Sequence, residues 1–82
     1  MLTETQFRML KSIKAGNDTQ TKLSKDLGYQ FNTMYENMNK LLLDDFIKLE
    51  RSGREVFISL SRKGKRLLNL MEETEKIARR KS

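Results

Sequence analysis

The sequence lacks several residue types, and each absence excludes a class of function. Its 82 residues include no cysteine and no histidine. Without cysteine the chain has neither disulfides nor thiolate zinc sites, and without histidine it lacks the commonest metal ligand and general base. No apolar run approaches the roughly 18 residues that a membrane-spanning helix needs. Proline is also absent, and there is no internal repeat or linker.

The length predicts a single domain over residues 1–82. A domain this small buries only about 60 to 65% of the surface that its unfolded chain exposes, and a dimer is one way to add core. The first residues, Met1 to Glu4, do not form the charged segment followed by an apolar one that marks a signal peptide. We therefore expect a soluble protein in the reducing cytoplasm, with no membrane partner.

The sequence gives no support for catalysis. The carboxylates are scattered over predicted helix surfaces and loops, and no glycine-rich segment has the pattern of a phosphate-binding loop. Asp44 and Asp45 are adjacent, but they fall at a predicted helix–strand junction and are explained by a turn. We expect no enzyme, no metal site and no cofactor.

Positive charge is concentrated in the second half of the chain. The net charge is +6; residues 1–47 hold six basic and six acidic residues, whereas residues 48–82 hold eleven basic and five acidic residues. A basic half on a small domain is typical of a protein with a polyanionic partner, most often nucleic acid. On charge alone, a solvated surface that only keeps the protein soluble is an equally good explanation.

Hydrophobic spacing predicts three helices in the first half of the chain. Thr3 and Gln6 have the spacing of a capping box ahead of a helix over about residues 4–14. Thr19 or Gln20 opens a second helix, which Gly28 ends in the left-handed conformation. The third helix begins near residues 30–32 and runs to about residue 43. Its predicted buried stripe consists of Met34, Met38, Leu41 and Leu42.

A hairpin follows within residues 46–60, where the apolar period changes from 3.6 to 2. A tight turn at Ser52 and Gly53 joins its strands, and a two-residue loop there places the apolar side chains on one face. The same register places two glutamates opposite each other, so a longer loop with a bulge remains an alternative. The predicted pairs are Leu49 with Val56, Ile47 with Ile58, and Glu50 with Glu55.

A last helix is predicted over about residues 62–79, fraying into residues 79–82, with Ser61 as its cap. Its first turns carry four cations, which oppose the positive end of the helix dipole unless something anionic neutralises them. A phosphate would do so. These cations are Arg62, Lys63, Lys65 and Arg66.

The second and third helices form a candidate helix-turn-helix over about residues 19–43, with Ser24 as the small residue where they touch. The N-terminal end of a recognition helix enters the major groove, where Asn and Gln can pair with adenine, Glu can accept from cytosine, and Thr can contact a thymine methyl group. Arginine is absent from this helix. The candidate DNA-binding residues on it are Gln30, Asn32, Thr33, Tyr35, Glu36, Asn39 and Lys40.

Over about residues 5–72, these elements resemble the winged helix-turn-helix regulators of the MarR type and their small archaeal and viral relatives. In that family a "Leu-Thr-x-x-Gly-x-x-Leu" segment follows the wing, and Leu60 to Leu67 match it with Ser61 in place of threonine. Asp45 stands where the family usually has glycine. The other matching positions are Leu23, Leu27, Gly28, Thr33, Met34, Leu41, Phe46 and Ile47.

The resemblance implies a mainly α fold with a small β-hairpin, which is the wing, and a C-terminal dimerisation helix. It also implies that an arginine on each side of the wing tip contacts the minor groove or phosphates. The wing and backbone contacts are expected from Arg51, Ser52, Arg54, Arg62, Lys63 and Lys65. The dimerisation residues are expected to be Leu67, Leu70, Met71, Thr74 and Ile77.

Full-length MarR-type proteins carry extra helices that dimerise and hold a ligand pocket, and this chain is too short for them; we predict no small-molecule ligand. Three aromatic residues have two explanations each. Phe31 is favoured as a core residue over a thymine contact. Tyr35 either packs against the protein or donates a hydrogen bond to a phosphate. Phe57 is either half-exposed on the wing or part of a subunit contact.

The leading hypothesis is a sequence-specific double-stranded DNA-binding protein, a cytoplasmic, nucleoid-associated transcriptional regulator that acts as a homodimer. One alternative is an architectural or chromatin protein that binds duplexes without sequence preference. Another is a winged-helix module that binds other proteins.

Overall fold

The computed structural model describes residues 2–80, with side chains up to residue 78, and this part of the chain is mainly helical with one antiparallel hairpin. Its elements in order are α1 (Glu4–Lys14), α2 (Gln20–Leu27), α3 (Phe31–Leu43), β1 (Ile47–Ser52), β2 (Glu55–Leu60) and α4 (Arg62–Arg80). The predicted fold class is confirmed. Residues 79 and 80 continue α4, whereas the predicted fraying of Lys81 and Ser82 lies outside the described residues.

Local capping signals set the ends of the first two helices. Thr3 and Gln6 form a complete capping box, in which each side chain accepts a hydrogen bond of 3.2 Å from the backbone N–H of the other residue. The Thr19 hydroxyl likewise accepts from the backbone N–H of Lys22 at 3.2 Å. Gly28 ends α2 with φ of 70°, a conformation that costs glycine little.

The core lies where α1, α2 and α3 meet the hairpin and the first half of α4. The fully or almost fully buried apolar side chains are Met9, Leu10, Ile13, Leu23, Met34, Met38, Leu41, Ile47, Ile58 and Leu68. The predicted burial of Met34 and Met38 is confirmed. The expectation that Phe31 packs in the core is wrong, because its side chain is 64% exposed. Leu23 and Met34 already fill the space between α2 and α3, and Phe31 lies beyond it at the first position of α3.

The hairpin forms, but its predicted register is wrong. Gly53 has φ of 63° and occupies the first position of the two-residue turn, as in a type II′ turn, so the loop is Gly53 and Arg54. The shift leaves the apolar residues on one face and places Glu50 opposite Phe57, which removes the predicted contact between two glutamates. The observed pairs include Ile47 with Leu60, Leu49 with Ile58, and Ser52 with Glu55.

The base of the hairpin is held by a compact set of contacts that we call the wing root, formed by Asp45, Phe46, Ser61 and Gly64. The backbone N–H of Ser61 donates to the Phe46 carbonyl at 3.0 Å, and the Ser61 hydroxyl donates to the Asp45 carbonyl at 2.6 Å. The same hydroxyl accepts from the Gly64 N–H at 2.9 Å and so caps α4. A Cβ atom on Gly64 would overlap the Phe46 carbonyl, so only glycine fits this close approach.

A second contact ties the hairpin to the first half of the chain. The backbone N–H of Ile58 donates to the carbonyl of Asp18, just before α2, at 2.7 Å. β2 therefore lies between β1 and the segment that leads into α2. This bond fixes the distance between the hairpin and the start of the helix-turn-helix. Among residues 2–80, no helix combines the length and the apolar character needed to cross a membrane.

Candidate nucleic-acid interface

The outward face of α3 presents polar side chains that are free to contact a ligand. Asn32, Thr33, Glu36 and Asn39 are exposed, on the side of the helix opposite the buried Met34 and Leu41. Within residues 2–78, none of these four side chains forms a hydrogen bond or an ion pair with the rest of the chain. The structure therefore brings these predicted recognition residues together on one surface. Gln30 precedes them as the exposed N-cap, and its side chain makes no capping hydrogen bond.

Two aromatic side chains add apolar surface to one flank of α3. Phe31 is 64% exposed and Tyr35 is 55% exposed, and their spacing of four residues makes them neighbours on the helix. Phe31 also borders a small cleft beside α2, together with Thr21 and Lys25. Lys40 is exposed near the other end of α3, three residues from its C-terminus. The start of the helix thus combines polar and aromatic groups with no cation.

The predicted wing residues lie at the outer end of the hairpin. Arg51, Ser52 and Arg54 are all exposed; Arg51 stands opposite Val56 near the end of β1, and Arg54 is the second residue of the turn. Arg51 therefore lies beside the tip and Arg54 within it; their contact with DNA stays a prediction. Leu49 and Val56 are partly exposed because the hairpin extends past the helices that cover its base.

A cleft between the wing and the start of α2 joins groups that sequence reasoning did not combine. Arg54 and Lys22 line it together with Thr19 and Thr21. Lys22 is paired with Asp18 at 3.3 Å and Glu55 also lines the cleft, so charges of both signs lie beside the start of α2. Only the threonine cap could have signalled this cleft, since the lysine and the arginine lie 32 residues apart and the Asp18–Ile58 hydrogen bond brings them together.

The predicted cations at the start of α4 do not form one cluster. The Lys63 ammonium donates to the Asp44 carbonyl at 2.9 Å and lies 4.7 Å from the centroid of the Phe46 ring, so it binds the C-terminal end of α3. Arg62 lies beside the same groove near Phe46. Lys65 lines a different cleft, between β2 and the end of α1. The structure therefore separates Lys65 from the other two.

The predicted dimerisation residues of α4 differ in exposure. Leu70, Thr74 and Ile77 are exposed, while Leu67 and Met71 are half-buried. The side chain that faces the core is Leu68, which sequence reasoning missed because four apolar residues crowd this stretch and leave its inward face undefined. We call the row of Leu67, Leu70, Thr74 and Ile77 the outer stripe.

Charged groups on the opposite side of the molecule serve the fold. Arg8 donates to Glu4 at 3.1 Å, and its pKa is raised above its ordinary value mainly by Tyr29, with Glu4 adding to the effect. Among residues 2–78, no group of three carboxylates could hold a metal ion.

Three helices followed by a hairpin and a fourth helix, with α2 and α3 joined across Gly28, define a winged helix-turn-helix fold. No family model matches the sequence, and no curated protein matches it. The similarity to known proteins lies in the structure, and it confirms the resemblance to MarR-type regulators at the level of the fold.

Three solved structures illustrate the similarity. The match to FabT from Streptococcus pneumoniae in complex with DNA covers 98% of this chain and 59% of the FabT chain, with a TM-score of 0.86 and 24% identity. A MarR family protein from Bacillus stearothermophilus matches 94% of this chain and 56% of its own, with a TM-score of 0.86 and 22% identity. A protein from Archaeoglobus fulgidus matches 95% of this chain and 91% of its own, with a TM-score of 0.81 and 18% identity. The chain thus spans less than two thirds of the first two proteins.

Proposed function

We propose that this chain binds double-stranded DNA sequence-specifically and regulates transcription as a homodimer. The observation that carries the proposal is the exposed polar face of α3, with Asn32, Thr33 and Glu36 unpaired within the described chain, beside a wing that carries two exposed arginines. α3 enters the major groove, and the wing holds the adjacent backbone. The presence of DNA in the FabT complex, which has the same fold, supports this assignment.

The residue types on α3 favour particular base contacts. Asn32 suits adenine, Glu36 suits the amino group of cytosine, and Thr33 suits a thymine methyl group. The exposed ring of Phe31 supplies a further apolar contact for such a methyl group. Since α3 contains no arginine, direct contact with guanine would depend on Lys40 or on a residue outside the helix.

One observation favours a second candidate function, binding to duplex DNA without sequence preference. Lys40 is the only cation on α3, and most of the positive charge lies in the second half of the chain. Contacts from that half reach phosphates, which carry no sequence information. In either case the protein acts in the cytoplasm at the nucleoid, and we propose neither a small-molecule ligand nor an enzymatic activity.

Selection of bound duplexes from a random pool at two salt concentrations tests the proposal. We expect a pseudo-palindromic site that competes against bulk DNA with a preference of about 10³-fold or more. Equal affinity for the selected and the bulk duplexes would favour the architectural role instead. No retention of any duplex at moderate salt would contradict both and favour a protein-binding module.

The salt dependence of binding supplies a quantitative check on the wing. If about eight phosphates are neutralised, log K should fall with log[salt] at a slope of about −7. Arg54→Ala should reduce the magnitude of that slope by about 1, because one phosphate contact is lost. Lys76→Ala removes an exposed charge from the second half of α4 and should leave the slope unchanged. A slope near zero for the native chain would contradict binding to the DNA backbone.

A further inference from the structure

Positive charge gathers around a groove between the wing root and the start of the outer stripe, which we call the root groove. Phe46, Leu67 and Leu70 supply its apolar surface. One cation from β1 and three from the start of α4 border it, whereas Asp45 is its single acidic residue, so four positive charges face one negative charge. The four cations are Lys48, Arg62, Lys63 and Arg66.

These charges are not neutralised within the described chain. The four ion pairs among residues 2–78 all take their cations from residues 8–22, and none includes a residue of the root groove. Lys63 donates to the Asp44 carbonyl at 2.9 Å, which leaves its charge in place and two of its three ammonium hydrogens free. Unpaired cations of one sign around a groove attract an anionic partner.

The arrangement of the cations suits a row of phosphates better than a single small anion. Arg62 and Arg66 are exposed and four residues apart, which is about 6 Å along the axis of α4. Two steps of a DNA strand, at about 3.4 Å each along its axis, span a similar length. Guanidinium groups also match the geometry of phosphate oxygens. Lys48 and Lys63 add two further contacts at the same groove.

The root groove lies at the far end of both elements that the proposed function places on DNA. The 13 residues of α3 extend about 20 Å, and the root groove lies beyond its last residue, where Lys63 contacts Asp44. The six residues of β1 extend about 20 Å from the root to Ser52 beside the tip. Lysine and arginine side chains are shorter than either distance. A duplex held by the start of α3 and the wing tip therefore leaves these cations available to another segment.

We infer that the root groove binds the phosphate backbone of a second DNA segment, so that a chain bound through α3 and the wing also holds another duplex. The inference rests on the DNA binding of the proposed function and adds a second contact surface to it. Because this surface contacts phosphates, it reads no sequence. Holding two segments on one protein produces a bridge or a loop in DNA.

Capture of a second duplex by the full chain tests this contact. The selected duplex is immobilised, the chain is bound to it, and retention of a fluorescent duplex that lacks the site is measured at increasing salt. We expect retention with a slope of log K against log[salt] of about −3 to −4, because about four phosphates are neutralised.

Charge reversal at Arg66 separates the two contacts. Arg66→Glu should lower retention of the second duplex at least about tenfold, because it replaces an attraction to phosphate by a repulsion. Affinity for the selected site should stay within about twofold, since the change lies beyond the Debye length of about 10 Å from the start of α3. Lys76→Glu makes the same charge change on α4 away from the groove and should leave both measurements unchanged.

Asn32→Glu gives an independent measure, because a carboxylate at the start of α3 repels DNA there and leaves the root groove intact. This variant should still bind bulk duplex, and adding Arg66→Glu should weaken that binding at least about tenfold. The inference would be overturned if Arg66→Glu had no effect in the Asn32→Glu chain, or if the native chain retained no second duplex. Displacement of that duplex by poly-glutamate as readily as by DNA would assign the groove to acidic proteins and overturn it as well. A failure to select any site, with Arg66 still controlling bulk binding, would refute only the sequence-specific function.

Discussion

The turn between α2 and α3 and the wing root both contain a left-handed residue, yet they are stabilised differently. Gly28 has φ of 70°, and a Cβ atom there would meet nothing within 4 Å. Asp45 has φ of 61° in the wing root, where Gly64 presses against the Phe46 carbonyl. The turn therefore depends on one backbone angle, whereas the wing root depends on packing between residues far apart in sequence.

The largest expected effect comes from Gly64→Ala, because the added methyl group overlaps the Phe46 carbonyl and backbone must move. We expect a loss of about 2 to 3 kcal/mol in the free energy of unfolding, measured by urea titration followed by circular dichroism. Lys65→Ala, at the next and exposed position, should change it by less than about 0.5 kcal/mol. If Gly64→Ala left the free energy of unfolding unchanged, the wing root would have as much free space as the turn at Gly28.

A smaller effect is expected at the turn itself. Gly28→Ala forces an L-residue into the left-handed region in open space, and should cost about 1 kcal/mol in the same titration. Asn tolerates this conformation better, so Gly28→Asn should recover part of that loss. If asparagine and alanine were equally destabilising, conformational strain at position 28 would not be the cause.

The smallest change expected is a gain of stability in the wing root. Asp45→Gly relieves the left-handed strain of an L-residue, offset by the greater freedom of glycine in the unfolded chain, for a net gain of about 0.5 kcal/mol. Its matched control is Asp44→Gly, at a position with φ of −86°, which should lose a similar amount because there is no strain to relieve. If the urea midpoint fell for both Asp45→Gly and Asp44→Gly, the Asp45 side chain itself would stabilise the wing root.

The features that could be predicted from the sequence depend on contacts between neighbouring residues, and those that could not depend on contacts between distant ones. The helix ends were predictable because Thr3, Thr19 and Gly28 act within four residues of their partners. The hairpin register was not, since Gly53 can occupy either turn position and both choices keep the apolar residues on one face. Leu68 was missed for a related reason, because several apolar neighbours make the inward side of α4 ambiguous.

The candidate interface depends even more on contacts between residues that are distant in sequence. The polar residue types of α3 were evident from its sequence, but the exposure of Phe31 depends on how far the core extends, which spacing alone does not give. The cleft that joins Arg54 to the start of α2 exists because β2 bonds to Asp18. Lys63 donates a hydrogen bond to the Asp44 carbonyl, and nothing in its local sequence indicates that partner; its contact with DNA stays a prediction.

The hydrogen bond between Phe46 and Ser61 has a consequence for how such a protein can vary. It closes the hairpin at its base, so every residue between the two belongs to one closed loop whose ends are fixed. Residues inserted at the Gly53–Arg54 tip would lengthen the wing without disturbing the helices, whereas a deletion at the root would separate them. The tip is therefore where related chains can change the length of the wing while keeping the same scaffold.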